Sequence, residues 1–169
     1  MTQPMLILVD EHDNEIGVEE KLPAHEKGLL HRAFSVIIFN SKGEMLLQQR
    51  ALTKYHAGGL WSNACCGHPY PGELVEDAIH RRLQEENGFD TPLTKQTEFI
   101  YNVPVTNNLI EHEYLHVFSG TYEGEMNINP EEAAAVRWIG ADALREEIAA
   151  NKERFTPWFL LLLERVPFI

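Results

Sequence analysis

Cysteine is almost missing from this sequence. Of its 169 residues only Cys65 and Cys66 carry a thiol, and they are neighbours. Two adjacent cysteines cannot build a disulfide framework, and a bond between them would close a strained small ring. Free thiols in a reducing compartment, and hence a cytoplasmic protein, are the expectation. Long hydrophobic runs are missing too. The longest, Met5–Val9 and Phe159–Leu163, fall far short of the ~20 residues that span a bilayer, and no basic region followed by an apolar stretch reads as a secretion signal. Positive charge is scarce: 14 Lys and Arg stand against 26 Asp and Glu, a net charge of −12. That balance argues against nucleic acid or a membrane as partner, since both reward basic patches. It still allows an anionic small molecule, if local Lys and Arg or a divalent metal compensate. Fixed-period repeats and low-complexity linkers are absent as well. Residues 1–169 therefore read as one domain, large enough for a core of its own.

What is present is a mixture of strands and helices. Strand-like runs recur at MLILVD, AFSVIIFN, EMLLQQR, EFIYNVPV, EHEYLHVFSGTY and AAVRWIG, and NSKGE (40–44) between two of them reads as a hairpin turn. Helical periodicity marks Leu74 to Asn87, with Val75, Ala78, Ile79 and Leu83 on one face and Gly88 as a stop. A second helix is expected over Ala141 to Ala150, and a third from Thr156-Pro157 through WFLLLLERV. Such a mixture in one compact unit predicts an α/β sandwich.

Chemistry-bearing residues cluster in three stretches. WSNACCGHPYPGE sets both thiols directly before a Gly-His-Pro. From Gly67 the chain reads G-x5-E-x7-R-R-L-Q-E-E-N-G-F, so that Arg82 and Glu86, four apart, share one helix face. In IEHEYLHVF, Glu111 and Glu113 are two apart and share one face of a strand. Two acids side by side repel unless a cation or proton lies between them. With His68 from the loop and His25 and His31 from PAHEKGLLHRAFS, three imidazoles and two carboxylates suit a divalent metal of the Mn, Fe, Zn or Mg kind.

The span 67–89 resembles the Nudix box, with Arg82 where that box has a glutamate. LLHRAFS, WSNACCGHP, the Arg-Arg form of the box, EHE and FTPWFL together resemble the type I isopentenyl-diphosphate isomerases, over roughly residues 21–158. The resemblance implies a Nudix-type α/β/α sandwich with a mixed sheet. It implies an enzyme of isoprenoid biosynthesis that interconverts isopentenyl and dimethylallyl diphosphate by a metal-dependent 1,3-proton shift. Carried over by position, it implies catalytic Cys66 and Glu113 with Tyr101 as helper. Metal ligands would be His25, His31, His68, Glu111 and Glu113, for one Mn2+, Mg2+ or Zn2+. Glu86 would hold a Mg2+ that arrives with the diphosphate, Lys21, Arg50, Lys54 and Arg82 would bind that group, and Trp158 would face the hydrocarbon. Cys65 should point away from Cys66 if the backbone there is extended. A monomer or weak homodimer is expected. The alternative is a Nudix pyrophosphohydrolase of a nucleoside diphosphate derivative, against which Arg82, Cys66 and EHE speak. A catalytically dead ligand sensor would have lost a ligand, acid or base, and a redox pair at Cys65-Cys66 is a third reading.

Overall fold

The computed structural model describes residues 4–54 and 56–167. Along the chain these form β1 (Met5–Val9), β2 (Glu15–Glu20), α1 (Lys21–Lys27), β3 (His31–Phe39), β4 (Met45–Arg50), β5 (Trp61–Asn63), β6 (Cys65–Gly67), α2 (Val75–Asn87), β7 (Thr94–Val105), β8 (Leu109–Thr121), β9 (Ala133–Ile139), α3 (Ala141–Asn151) and α4 (Pro157–Arg165).

β3 organises the sheet. Its run HRAFSVIIF is apolar on both faces, as a strand covered on both sides must be. It pairs in parallel with β8 from His31↔Glu113 to Phe39↔Thr121. It pairs antiparallel with β6, where Ser35 faces Cys66, and with β1 and β4. β7 lies antiparallel beyond β8, and β4 also carries β5 and β9. The NSKGE hairpin joins β3 to β4: Gly43 N–H donates to Asn40 O (3.0 Å), and the Asn40 carboxamide oxygen accepts from the Lys42 and Glu44 amides.

The strand period divides the core into two layers. Ala33 and Ile37 of β3 and Leu115 and Val117 of β8 pack with Leu144 of α3 and Phe159 and Leu162 of α4. Phe34, Val36 and Ile38, with Phe118, pack on the opposite face against Val75, Ala78, Ile79 and Leu83 of α2. One mixed sheet between helices is the α/β/α sandwich that the resemblance implied. The Thr156 hydroxyl caps α4 by accepting from Phe159 N (3.2 Å), with Pro157 at the first helical position.

Four elements escaped the sequence reading. β2 (EIGVEE) offers only two apolar side chains, Ile16 and Val18, both exposed, too few for a legible alternation. α1 holds Pro23 within its first turn, where a missing N–H costs little, but its seven residues are too few for a helical period. β5 and β6 have three residues each, too short to alternate legibly.

Candidate active site

The register brings the reactive side chains into one row. His31 of β3 pairs with Glu113 of β8, which pairs with Tyr101 of β7. Directly opposed residues on neighbouring strands share a face, so imidazole, carboxyl and phenol stand side by side. Glu111 lies two residues earlier on the same face of β8. The Tyr101 hydroxyl donates to Glu113 Oε1. Burial first, and then the Glu113 charge, push the phenol well above its ordinary value, so Tyr101 keeps its proton.

Beside this row lies a buried cluster of imidazoles and carboxylates. His25 donates Nδ1–H to Lys21 O (2.6 Å) and His31 donates Nδ1–H to Leu29 O (2.9 Å). Each ring thereby turns Nε2 toward a carboxylate: His25 Nε2 is 3.1 Å from Glu111 Oε2, and His31 Nε2 is 3.4 Å from Glu113 Oε2. His68 Nε2 lies 3.0 Å from the same Glu113 oxygen. A nitrogen lone pair aimed at a carboxylate oxygen repels it unless a proton or cation lies between. Rings fixed by backbone carbonyls through Nδ1, with Nε2 free to ligate, are also how proteins orient metal-binding histidines. Ligand atoms of His25, His31, His68 and Glu111 all lie within 4.8 Å of one another, and this nitrogen and oxygen set fits a divalent metal. Glu113 is outside that four-residue group and touches it through His31 and His68. Burial works to raise both acids. The His25 and His56 imidazoles outweigh it and hold Glu111 well below the usual carboxylate range. His31 and His68 outweigh burial and the Glu111 charge to hold Glu113 below it. Burial drives His68 down to about 4, so its ring is neutral.

The two thiols point to opposite sides of β6. Cys65 is wholly buried on the α2 side, its Sγ 3.1 Å from Glu86 Oε2. Cys66 opens on the other side into a cavity of about 200 Å³ that Tyr101, Glu111 and Glu113 also line. Neither cysteine is in a disulfide. The Cys66 thiol donates to Asn63 Oδ1 (3.2 Å) and lies 3.3 Å from Ser35 Oγ. The Asn63 amide cannot turn, because its Nδ2 serves the carbonyls of Val36 and Cys65. Burial pushes the thiol up to about 11, with the Ser35 hydroxyl working against it.

Lys21, Arg50, Lys54 and Arg82 line the same cavity, as do Glu86 and Trp158. Burial and then the Lys54 charge push the Lys21 ammonium down, with Arg50 and Arg82 adding to the effect and Glu111 opposing it. Cations gathered in this way favour an anion among them. The Arg50 guanidinium lies 5.2 Å from the Trp158 ring centroid. Arg82 Nη2 is 3.3 Å from Glu86 Oε2, as their spacing on α2 required, and its Nη1 donates to Glu85 (2.7 Å). Among the predicted site residues, His25 and His31 stand behind the cavity wall, and the rest line the cavity.

Three further residues belong to the site. His56 is buried with Nε2 3.0 Å from Glu111 Oε1. Asn63 holds the Cys66 thiol. Glu132 bridges two cations, 2.5 Å from Lys54 Nζ and 3.2 Å from Arg82 Nη2. Asn63, in WSNACC, had no sequence signal, because its contact with Cys66 depends on the bend at residue 64 between β5 and β6. Glu132, in INPEEAA, had none.

The NUDIX domain model matches residues 29–159. An isopentenyl-diphosphate Delta-isomerase 2 of Photorhabdus laumondii is 49% identical over 164 residues, covering 97% of this chain and 93% of that relative. An isopentenyl-diphosphate Delta-isomerase of Burkholderia multivorans is 51% identical, covering 95% and 91%. Among solved structures, a Deinococcus radiodurans protein superposes with a TM-score of 0.79 at 21% identity, over 95% of this chain and 98% of that one. A MutT protein of Methanosarcina mazei gives 0.63 at 21% identity, over 80% and 91%. These two structures speak for the fold. The match to the domain model and the near full-length identity to the curated relatives decide the family: this chain belongs to the NUDIX-domain family and, within it, to the isopentenyl-diphosphate Delta-isomerases.

Proposed function

We propose that the protein interconverts isopentenyl diphosphate and dimethylallyl diphosphate, moving the double bond by a 1,3-proton shift through a tertiary carbocation. One observation carries the reading: the Cys66 thiol and the Glu113 carboxyl line a single cavity, and Lys21, Arg50, Lys54 and Arg82 line it with them. The reaction asks for a proton to be added at one end of a three-carbon unit and removed at the other. Cys66 and Glu113 are the pair assigned to those two tasks, with opposite resting states. Burial keeps the proton on Cys66, while Glu113 is held as carboxylate by His31 and His68. Tyr101 donates a hydrogen bond to Glu113 Oε1 and so fixes the orientation of that carboxyl.

The cations would grip the diphosphate, so that binding energy remote from the reacting carbons fixes their position. Trp158, 6% exposed, would present its ring to the developing cation and keep out the water that would trap it. His25, His31, His68, Glu111 and Glu113 would hold a Mn2+, Mg2+ or Zn2+, and Glu86 would hold a Mg2+ that enters with the diphosphate. Bound there, a divalent cation supplies positive charge that keeps Glu113 acidic and screens the phosphates. The reading takes residues 1–169 as one domain, with 67–89 as its diphosphate element; residues 1–3, 55 and 168–169 lie outside the described residues. It takes the protein as a cytoplasmic monomer or weak homodimer that uses neither nucleic acid nor membrane.

Phosphorus NMR separates this from hydrolysis. With Mg2+ and Mn2+, isopentenyl diphosphate should convert to its allylic isomer with both phosphates attached. Release of phosphate, or cleavage of nucleoside diphosphate derivatives at a comparable rate, would overturn the reading in favour of a pyrophosphohydrolase.

A further inference from the structure

His56 is 4% exposed and lies in the loop between β4 and β5. The loop is held there from both sides. Arg50 Nη2 approaches the His56 carbonyl at 3.4 Å, and the next amide, Ala57 N–H, donates to the Thr106 hydroxyl at 3.2 Å. The ring has its centroid 5.7 Å from that of His25 and 5.7 Å from that of Trp158. Its Nε2 lies 3.0 Å from Glu111 Oε1. A carboxylate has no hydrogen to give at that distance, so Nε2 carries it and His56 donates.

Glu111 is thus held by both oxygens. Oε1 faces His56, and Oε2 faces His25 at 3.1 Å, on the side of the cluster where ligand atoms of His25, His31, His68 and Glu111 converge within 4.8 Å. His56 itself is not one of those four. A carboxylate with one oxygen occupied in this way cannot swing away and offers the other to a metal in a fixed direction. Partners of this kind usually change metal affinity by about 10- to 100-fold. We propose that His56 is a positioning residue whose Nε2–H locks Glu111 in the orientation that binds the divalent metal, so that it strengthens metal binding without being a ligand. This rests on the reading of the His25, His31, His68 and Glu111 cluster as a metal site.

Two amides test it. In His56→Gln the side-chain amide reaches the place of Nε2 and can still donate to Glu111, whereas in His56→Asn it reaches only the place of Nδ1. Mn2+ affinity is measured on metal-stripped protein by competition with a chelator, and thermal melting of the stripped proteins checks that both variants are folded. The expected result is a His56→Gln affinity within about 3-fold of wild type and a His56→Asn affinity about 10- to 100-fold weaker, with similar melting. Equal affinity in all three proteins, or equal loss in both variants, overturns the proposal. Cobalt(II) gives a second readout at saturation. Unchanged visible bands in both variants fit a ring outside the coordination sphere, and shifted bands in both would make His56 a ligand and sink the positioning role. Wild-type protein that takes up no Mn2+ at one per chain would instead refute the metal-site reading, and the proposal with it.

Discussion

In metal-free protein carrying Cys65→Ala, so that one thiol remains, alkylation of Cys66 by iodoacetamide should be slow at neutral pH and climb about tenfold per pH unit to about pH 10, as thiolate chemistry requires. The magnitude follows from the site. Burial raises the thiol to about 11, and the Ser35 hydroxyl only partly offsets it. At pH 7.5 the thiolate fraction is then about 3 × 10⁻⁴, against about a tenth for a free cysteine of pKa ~8.5. The more basic thiolate is the better nucleophile, which returns about a factor of 10. The net expectation is a rate about 30-fold below that of a free thiol at pH 7.5, before any loss of access. Intact-mass spectrometry of samples quenched over time reads the rate directly. A rate that is flat between pH 7 and 9, or equal to that of the free thiol, would show a thiolate at rest and remove the basis for assigning the resting proton to Cys66.

Other consequences are open to direct measurement. Cys66→Ala and Glu113→Gln should each lower the isomerisation rate by at least about 10²–10⁴, the usual contribution of a positioned acid or base; Cys65→Ala, whose thiol lies on the far side of β6, should keep most of it. If Cys65→Ala were the inactive variant, the wrong sulfur has been chosen. Gly88→Ala should lower stability in a urea titration by more than about 1 kcal/mol, because Gly88 has φ +74 and an added Cβ would lie 2.5 Å from Asn127 O; an unchanged midpoint would contradict the close approach. Glu73 accepts from Arg81 at 2.7 and 2.8 Å, which holds its carboxyl below the ordinary 4.5. A depressed folded-state pKa stabilises above the unfolded value and is lost as pH falls through the folded one. The stability gap between wild type and Glu73→Gln should therefore be widest above about pH 5 and shrink below pH 4.5 in chemical unfolding, and a gap independent of pH would refute the ion pair. A strong chelator should abolish turnover, with Mg2+ plus Mn2+ restoring it; turnover that survives complete metal removal contradicts the metal assignment.

Much of the fold was legible because its central elements are long and regular. β3 and β8 alternate or run apolar over nine or more residues, α2 keeps its apolar face to Gly88, and the Thr156-Pro157 cap starts α4. The i, i+2 spacing of Glu111 and Glu113 was enough to assign them one face. Which strands adjoin was not legible. Parallel pairing of His31 with Glu113 joins residues 82 apart in sequence, and nothing local encodes that distance. His56 was hidden for the same reason. One histidine among eight in a loop carries no periodicity, and only tertiary packing reveals Glu111 beside it. Glu132 likewise reads as one acid among 26 until Lys54 and Arg82 converge on it.

The most direct test of a thiol and a carboxyl working at the two ends of one three-carbon unit is proton NMR of isopentenyl diphosphate turned over by the purified, metal-loaded protein in deuterated water. Deuterium delivered into the new methyl group of dimethylallyl diphosphate is the predicted result. A product that carries none, its hydrogen having moved within the substrate, would contradict the account.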